Sequence, residues 1–235
     1  MLITTPGTSA TGWLLAQSGR PLVITNAHVA SRIGTGGARV SFYAGSERAP
    51  VEVHATRAWV SPRIDLGILR LDADPPSTAR PLVLRTSTTV VRGERIVLGG
   101  NPSTGQGGVL PFQTTEGVVT GQVARADFSS CGPRRNCIVI DAASFAGSSG
   151  GPAVNVDGHV VGMLWGGPIQ SARVETTVMG RTPDGRTVTG VLEGEGVVQN
   201  PSFGYLIHTR TIAEELRTLE VTRPPASAPV RDAGT

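Results

Sequence analysis

An all-β fold in two lobes, finished by one C-terminal helix, is what the sequence predicts, and three observations point to it. The 31 glycines and 17 prolines among 235 residues favour many turns over long helices. From Thr11 onward, short apolar runs alternate with turn residues, as they do along the strands of a sandwich or barrel. These runs form two series on either side of residues 100–111, GNPSTGQGGVLP, whose Gly, Pro and small polar residues read as a connection. A chain of this length can bury one large core or two smaller ones.

The first series is GWLLAQ, PLVITN, ARVSFYA, VEVHATRAWV, LGILRL and RIVLGG, punctuated by SGR, GTGG, AGSERAP and DADPPSTARP. It assigns residues 1–100 to an N-terminal lobe and 101–112 to the connection. A second series, TTEGVVTGQVAR, CIVIDA, PAVNVDGHVVGMLW, RTVTGVL and FGYLIH, belongs to a C-terminal lobe spanning 113–222. Within it, Asp157-Gly158 marks a tight hairpin. Thr211 followed by Glu214 forms a capping box, and Ile212, Leu216 and Leu219 share one face, so residues 211–220 are expected as an amphipathic helix on the β-body. Residues 223–235 are rich in Pro and Ala and lack periodicity, which suits a tail or a linker to a partner domain.

Composition removes several function classes. All 21 basic residues are arginine, which excludes a serine–lysine dyad, a Schiff-base lysine and the lysine of a P-loop. The net charge is only +3, the arginines are scattered and aromatics make up 4%, so a nucleic-acid surface is not expected. No run is long enough to span a membrane, and the start MLITTPGTSATG lacks the charge and apolar stretch of a leader. That expectation is a cytoplasmic protein, or a secreted or periplasmic one if a leader has been removed. Cys131 and Cys137, in CGPRRNC, either close a small disulfide or remain thiols; they are too few for a structural zinc site, and no metal or cofactor is expected.

Chemistry concentrates around Ser149 in GSSGGP, where glycines allow a sharp turn and close approach to a ligand. A serine nucleophile needs a base and a group that orients the base. His28 ends an apolar run in PLVITNAHVA, and Asp65 stands at the mouth of another in RIDLGILRL. His54, His159 and His208 read as hydrogen-bonded structural residues, and Asp72 and Asp74 as surface turn residues. GSSGG also satisfies the G-x-S-x-G elbow of α/β-hydrolases, but a helix must follow that serine. Here PAVNVDGHVVG reads as a hairpin, and Asp184 or Glu193 with His208 make unpersuasive later partners.

The TNAHV stretch around His28, the DLGILRL stretch from Asp65 and the GSSGGP stretch around Ser149 together resemble the chymotrypsin-like serine proteases, most closely the HtrA/DegP branch. GERIVLGGNP leading to TTEGVVTGQ, and the closing FGYLIHTRTIAEEL, are similar to the same branch, so that the likeness runs from Thr11 to Leu219. The resemblance implies two six-stranded antiparallel β-barrels with a C-terminal α-helix, and an endopeptidase acting on protein or peptide substrates. It implies that Asp65 orients His28, that His28 shuttles the proton and that Ser149 attacks the carbonyl. An imidazole base ordinarily loses its proton near pH 6.5, so activity is expected to rise from acid pH towards neutrality. The N–H groups of Gly147 and Ser149 would form the oxyanion hole, where losing one donor typically costs about 3 kcal/mol. Ala143, Leu164, Trp165, Gly166 and Gly204 would line the substrate pocket; none is charged, which favours small or medium apolar side chains at the cut.

Several positions depart from the family pattern. Ser148 replaces the aspartate that receives a freed amine in digestive relatives, so that activation switch is not expected. No PDZ domain is expected after the helix. Leu164 replaces a serine that supports the catalytic aspartate in many relatives, leaving the aspartate in need of another donor. Residues 168–199, with Asp184, Glu193 and Glu195, have the length to reach back to the pocket. The alternative to an enzyme is a catalytically silent relative that binds peptides or acts as a scaffold.

Overall fold

A computed structural model describes residues 1–222 apart from 17–20, 44–48, 88, 105–107, 125–128, 133–135, 183, 185, 200 and 201. The expected tail, 223–235, lies outside the described residues. Seven strands make the first sheet: β1 (Leu2–Thr5), β2 (Thr8–Thr11), β3 (Trp13–Leu15), β4 (Leu22–Thr25), β5 (Ala38–Phe42), β6 (Val51–Val60) and β7 (Gly67–Leu71). Their order is β2-β1-β5-β6-β7-β4-β3. Only Gly12 separates β2 from β3, so the two are one bent strand: the first half pairs with β1 and the second with β4. That bend brings the sheet's two edges together into a nearly closed six-stranded barrel. A Cβ at Gly12 would lie 2.7 Å from Ile3 Cδ1 and 3.0 Å from the Ile24 carbonyl, which is why the corner is a glycine.

The remaining strands are β8 (Val83–Leu84), β9 (Arg95–Gly100), β10 (Gln113–Ala124), β11 (Asn136–Ile140), β12 (Pro152–Asn155), β13 (His159–Gly166), β14 (Ile169–Arg181), β15 (Thr187–Gln199) and β16 (Gly204–His208). Six of them run β12-β9-β10-β11-β16-β13, and β12 also pairs with β13, so this second barrel closes. The short β8 lies parallel to β13 on its outer edge. β14 and β15 form a separate two-stranded ribbon in register from Ile169↔Gln199 to Arg181↔Thr187.

The expected lobe boundary at residue 100 needs correction. β9 pairs with β10 and β12, not with the first sheet. Its alternate residues Ile96 and Leu98 point into the core of the second barrel with Val119, Ile138 and Val161. The first barrel therefore ends with β7, and 101–112 is a loop within the second. Two strands before the first expected run, β1 and β2, also escaped the sequence reading; the Pro6-Gly7 turn between two runs of strand formers was the available signal, and Gly7 has φ +75°.

Among the described residues there are two α-helices: α1 (Ala27–Ala30), a single turn, and α2 (Thr209–Thr222). α2 begins two residues before the expected capping box. His208 Nδ1 accepts the Arg210 N–H at 2.8 Å, doing the work of an N-cap side chain. Ile212 and Leu216 are buried on the expected face. Among the described residues no helix is long and apolar enough to cross a membrane. Cys131 and Cys137 are joined as a disulfide, and both are buried.

His54 has a structural role. Its Nδ1 faces Asp72 Oδ2 at 2.5 Å and its Nε2 faces the Gly36 carbonyl at 2.9 Å, so only the imidazolium can donate to both. The Gly36 carbonyl first, and Asp72 second, raise its pKa above the ordinary value. A raised folded-state pKa stabilises the fold below the unfolded value, and the contribution is lost as pH rises through the raised value. NMR titration should therefore place the His54 midpoint above about 6.5. Asp72→Asn should lower it part of the way, with the Gly36 carbonyl retaining the rest.

Candidate active site

β4 delivers the chain to Asn26, where α1 begins and carries His28 outward. α1 can sit this close to β7 because residue 67 is glycine: a Cβ there would lie 2.5 Å from Ala30 Cβ and 2.8 Å from the Asn26 carbonyl. Asp65, two residues earlier, is 8% exposed while the His28 side chain is 43% exposed. One carboxylate oxygen, Oδ1, accepts the His28 backbone N–H at 2.8 Å, and Oδ2 pairs with His28 Nδ1 at 2.8 Å. In the neutral tautomer whose Nδ1–H donates to Asp65, Nε2 is the basic nitrogen of the ring. The donor that Leu164 cannot supply is thus His28's own amide.

Asp65 is held along its backbone as well. Its N–H donates to the Ser130 carbonyl at 3.1 Å, and its carbonyl accepts Asn26 Nδ2 at 3.1 Å. Ser130 lies in a 3-10 turn, Ser129–Cys131, that ends on the disulfide. Neither Asn26 nor Ser130 was singled out by sequence; the asparagine beside His28 was the only available sign.

Ser149 sits in the loop between β11 and β12, partly buried. The Ser148 N–H donates to the Phe145 carbonyl at 3.0 Å, closing a turn whose third residue, Gly147, has φ +90°. A type II turn needs a positive φ there, which explains the glycine. The Ala146 carbonyl accepts the Ser103 N–H at 2.7 Å, and the Ser148 carbonyl accepts the Gly151 N–H at 2.9 Å. Because a trans peptide points its N–H opposite its carbonyl, these two bonds turn the Gly147 and Ser149 N–H groups away from the loop. Among the described residues neither N–H has an acceptor. Such a pair can receive a developing negative charge.

The loop carrying Ser149 packs against the end of β4, three residues before His28. A Cβ at Gly150 would lie 2.6 Å from Thr25 Oγ1 and 2.3 Å from the Thr11 carbonyl, so no side chain can intervene. No hydrogen bond joins His28 to Ser149 among the described residues. Ser148 is 4% exposed and packs on Gly100.

Of the expected pocket residues, Ala143, Trp165 and Gly166 are partly accessible. Ala143 is fixed by Thr115, whose Oγ1 donates to its carbonyl at 2.9 Å, and Trp165 lies against Tyr205 with ring centroids 6.1 Å apart. Leu164 is not an open wall. It is 1% exposed and packed with Ile140 and Leu206 in the barrel core. A Cβ at buried Gly204 would approach Leu164 Cδ1 to 3.0 Å, so this leucine already occupies the space above that glycine. Asp184 is at the tip of the ribbon, paired with Arg186 at 2.9 Å; the side chains of Glu193 and Glu195 are outside the described residues. A cleft of about 370 Å³ lies elsewhere, among Trp13, Phe42, Leu82, Val97 and Phe112.

A family model described as a trypsin-like peptidase domain matches residues 10–163. The chain is 30% identical over 149 residues to the serine protease Do-like HtrA of Bacillus subtilis, covering 63% of this chain and 30% of that protein. It is 32% identical over 158 residues to a probable periplasmic serine endoprotease DegP-like of Brucella suis, covering 67% and 27% respectively. The chain thus spans under a third of the length of these curated relatives. Among solved structures, the Rv3671c protease from M. tuberculosis matches in its inactive form with TM-score 0.60, 23% identity and coverage of 92% of this chain and 86% of that one. The HtrA-type protease AlgW with a decapeptide matches with TM-score 0.63, 19% identity and coverage of 92% and 53%. These structural likenesses show the fold.

The contact at Gly150 is open to a direct test. Gly150 and Gly158 have similar backbone angles, φ +84° and +81°, but a Cβ at Gly158 meets nothing within 4 Å. Gly158→Ala should cost only the strain of a left-handed alanine, about 1–2 kcal/mol. Gly150→Ala should cost distinctly more in urea unfolding, because the first barrel must move off the loop.

Proposed function

The chain belongs to the trypsin-like peptidase family, and from that premise we propose that it is a serine endopeptidase with Asp65, His28 and Ser149 as its triad. The observation that carries the reading is the two-point grip of Asp65 on His28, together with a loop whose Gly147 and Ser149 N–H groups have no acceptor among the described residues. In the proposed reaction His28 Nε2 takes the Ser149 proton as Oγ attacks the substrate carbonyl. The Gly147 and Ser149 amides hold the resulting oxyanion, and His28 returns the proton to the leaving amine. Water then repeats the sequence on the acyl-enzyme.

Small or medium apolar side chains are the proposed preference on the acyl side of the cut. The accessible candidates Ala143, Trp165 and Gly166 are uncharged, and Leu164 fills the depth above Gly204. A regulatory or processing role is proposed by analogy with the HtrA-type relatives, and residues 223–235 are proposed to lead to a partner domain. The absence of a His28–Ser149 hydrogen bond favours a second reading, a peptide-binding relative without turnover, and one reagent separates the two.

A fluorophosphonate probe should label the folded protein, and Ser149→Ala should abolish labelling; an unlabelled wild type selects the silent relative, and labelling that persists in the variant overturns the assignment of Ser149 as nucleophile. Asp65→Asn should lower kcat by about 10⁴-fold, since the wrong tautomer leaves Nε2 protonated. Cleavage-site mapping in a peptide library should show apolar residues before the cut, and enrichment of Arg or acidic residues there would refute the proposed pocket.

A further inference from the structure

We propose that Thr11, a first-barrel residue outside the triad, is a positioning residue whose hydroxyl holds the nucleophile loop so that the Gly147 and Ser149 amides face the substrate together. The proposal rests on the endopeptidase reading above and adds a residue to it.

Thr11 is 2% exposed and ends β2 at the Gly12 bend. All its polar groups are engaged, and they reach three different segments. Its N–H donates to the Ser149 carbonyl at 3.0 Å, and its Oγ1 donates to the Gly147 carbonyl at 2.8 Å. Oγ1 accepts the Asn101 backbone N–H at 2.9 Å and the Asn101 side-chain Nδ2 at 3.1 Å. Its carbonyl accepts Thr25 Oγ1 at 2.8 Å.

The direction of the hydroxyl proton follows from this inventory. A threonine hydroxyl has one hydrogen and two lone pairs. Both Asn101 groups are donors and Gly147 offers only a carbonyl, so the proton must point at Gly147. Thr11 therefore grips the carbonyls of residues 147 and 149 while the Ser148 carbonyl between them is tied to Gly151. Rotation of the Gly147–Ser148 or the Ser149–Gly150 peptide would break a Thr11 bond. Thr25 lies three residues before His28, so the same threonine also ties the loop to the chain that carries the base.

A side-chain substitution spares the two backbone bonds and removes only the hydroxyl. Thr11→Val keeps the shape and leaves the Gly147 carbonyl and the Asn101 backbone N–H without their buried partner, while Asn101 Nδ2 keeps the Met1 carbonyl. Small displacements at a reacting centre can cost on the order of 100-fold in rate. Thr11→Val is thus expected to lower kcat by roughly 10- to 100-fold with KM within about threefold, the pattern of an interaction that matters in the transition state. Affinity for a peptide boronic acid, which becomes tetrahedral on Ser149, should fall by the same factor, while affinity for the cleaved product peptide stays constant. Thr11→Ser keeps the hydroxyl and should restore kcat and boronate affinity to near the wild-type values.

The controls separate this proposal from its premise. A wild type that the fluorophosphonate does not label overturns the endopeptidase reading, and the role of Thr11 with it. A labelled wild type whose Thr11→Val variant keeps wild-type kcat and boronate affinity, or raises only KM, overturns the role of Thr11 alone. So does a Thr11→Ser variant as impaired as Thr11→Val. If Thr11→Val does not fold, as judged by circular dichroism, Thr11→Cys takes its place: a weaker donor of similar size should give an intermediate loss in kcat, and full activity there refutes the proposal.

Discussion

The contact between the two barrels is the constraint on which the rest depends. Trp13, Leu15, Ile24 and Ile68 from the first barrel and Ile64 and Leu66 from the stretch leading into β7 share one apolar cluster with Val160, Met163 and Ile207 of the second and with Ile212 and Leu216 of α2. Strand geometry explains how the same strands also fill their own barrels, since successive side chains point to opposite faces. On β4, Val23 lies in the first barrel's core while Ile24 faces the interface. On β13 a register shift against β12, which pairs Gly162 with Ala153 and Val160 with Val154, interrupts the alternation at Val161, so that Val161 and Leu164 lie in the second core while Val160 and Met163 face the interface. Strands buried on both faces need unbroken apolar runs, and WLL, LVI and GMLW are such runs.

Much of this was legible in the sequence and some was not, for identifiable reasons. β6 and β9 have the bounds their apolar patterns implied, and the hairpin at Asp157-Gly158 is where its dipeptide placed it. The side to which β9 belongs was not legible, because a periodic run states that a strand has two faces without stating which neighbours flank it. His28 and Asp65 were legible through the resemblance of TNAHV and DLGILRL to the motifs of the protease family. Leu164 was placed in the pocket wall with Trp165 and Gly166 by resemblance alone, whereas the face a residue takes depends on the strand's register, and here Leu164 is buried while those two are partly accessible. Thr11 left no trace, since a threonine among small residues on a strand has nothing to mark it until its five hydrogen bonds are seen.

The polar contacts across the interface are reciprocal. The first barrel supplies Thr11 to the loop of Ser149, which belongs to the second. In return, the Ser130 carbonyl, next to the disulfide, holds the backbone of Asp65. α2 adds a second hold: Glu215 accepts Ser61 Oγ at 2.5 Å and pairs with Arg63 at 2.5 Å, and Ser61 Oγ also accepts the N–H groups of Arg63 and Ile64. Each barrel thereby fixes the geometry of a residue that the other carries.

Such cross-bracing has a physical consequence that apolar packing alone would not produce. Apolar surfaces can slide by a fraction of an ångström at little cost, because dispersion contacts are individually weak and non-directional. Buried hydrogen bonds cannot, since a displaced donor or acceptor loses its partner with no water to replace it. Glu215 is a buried carboxylate, and separating it from Arg63 and Ser61 would leave an unpaired charge inside the protein. The apolar cluster therefore holds the barrels together, while Thr11, Ser130 and Glu215 select one relative position among those the cluster would tolerate. In that position the chain segments bearing His28, Asp65 and Ser149 meet at the barrel junction.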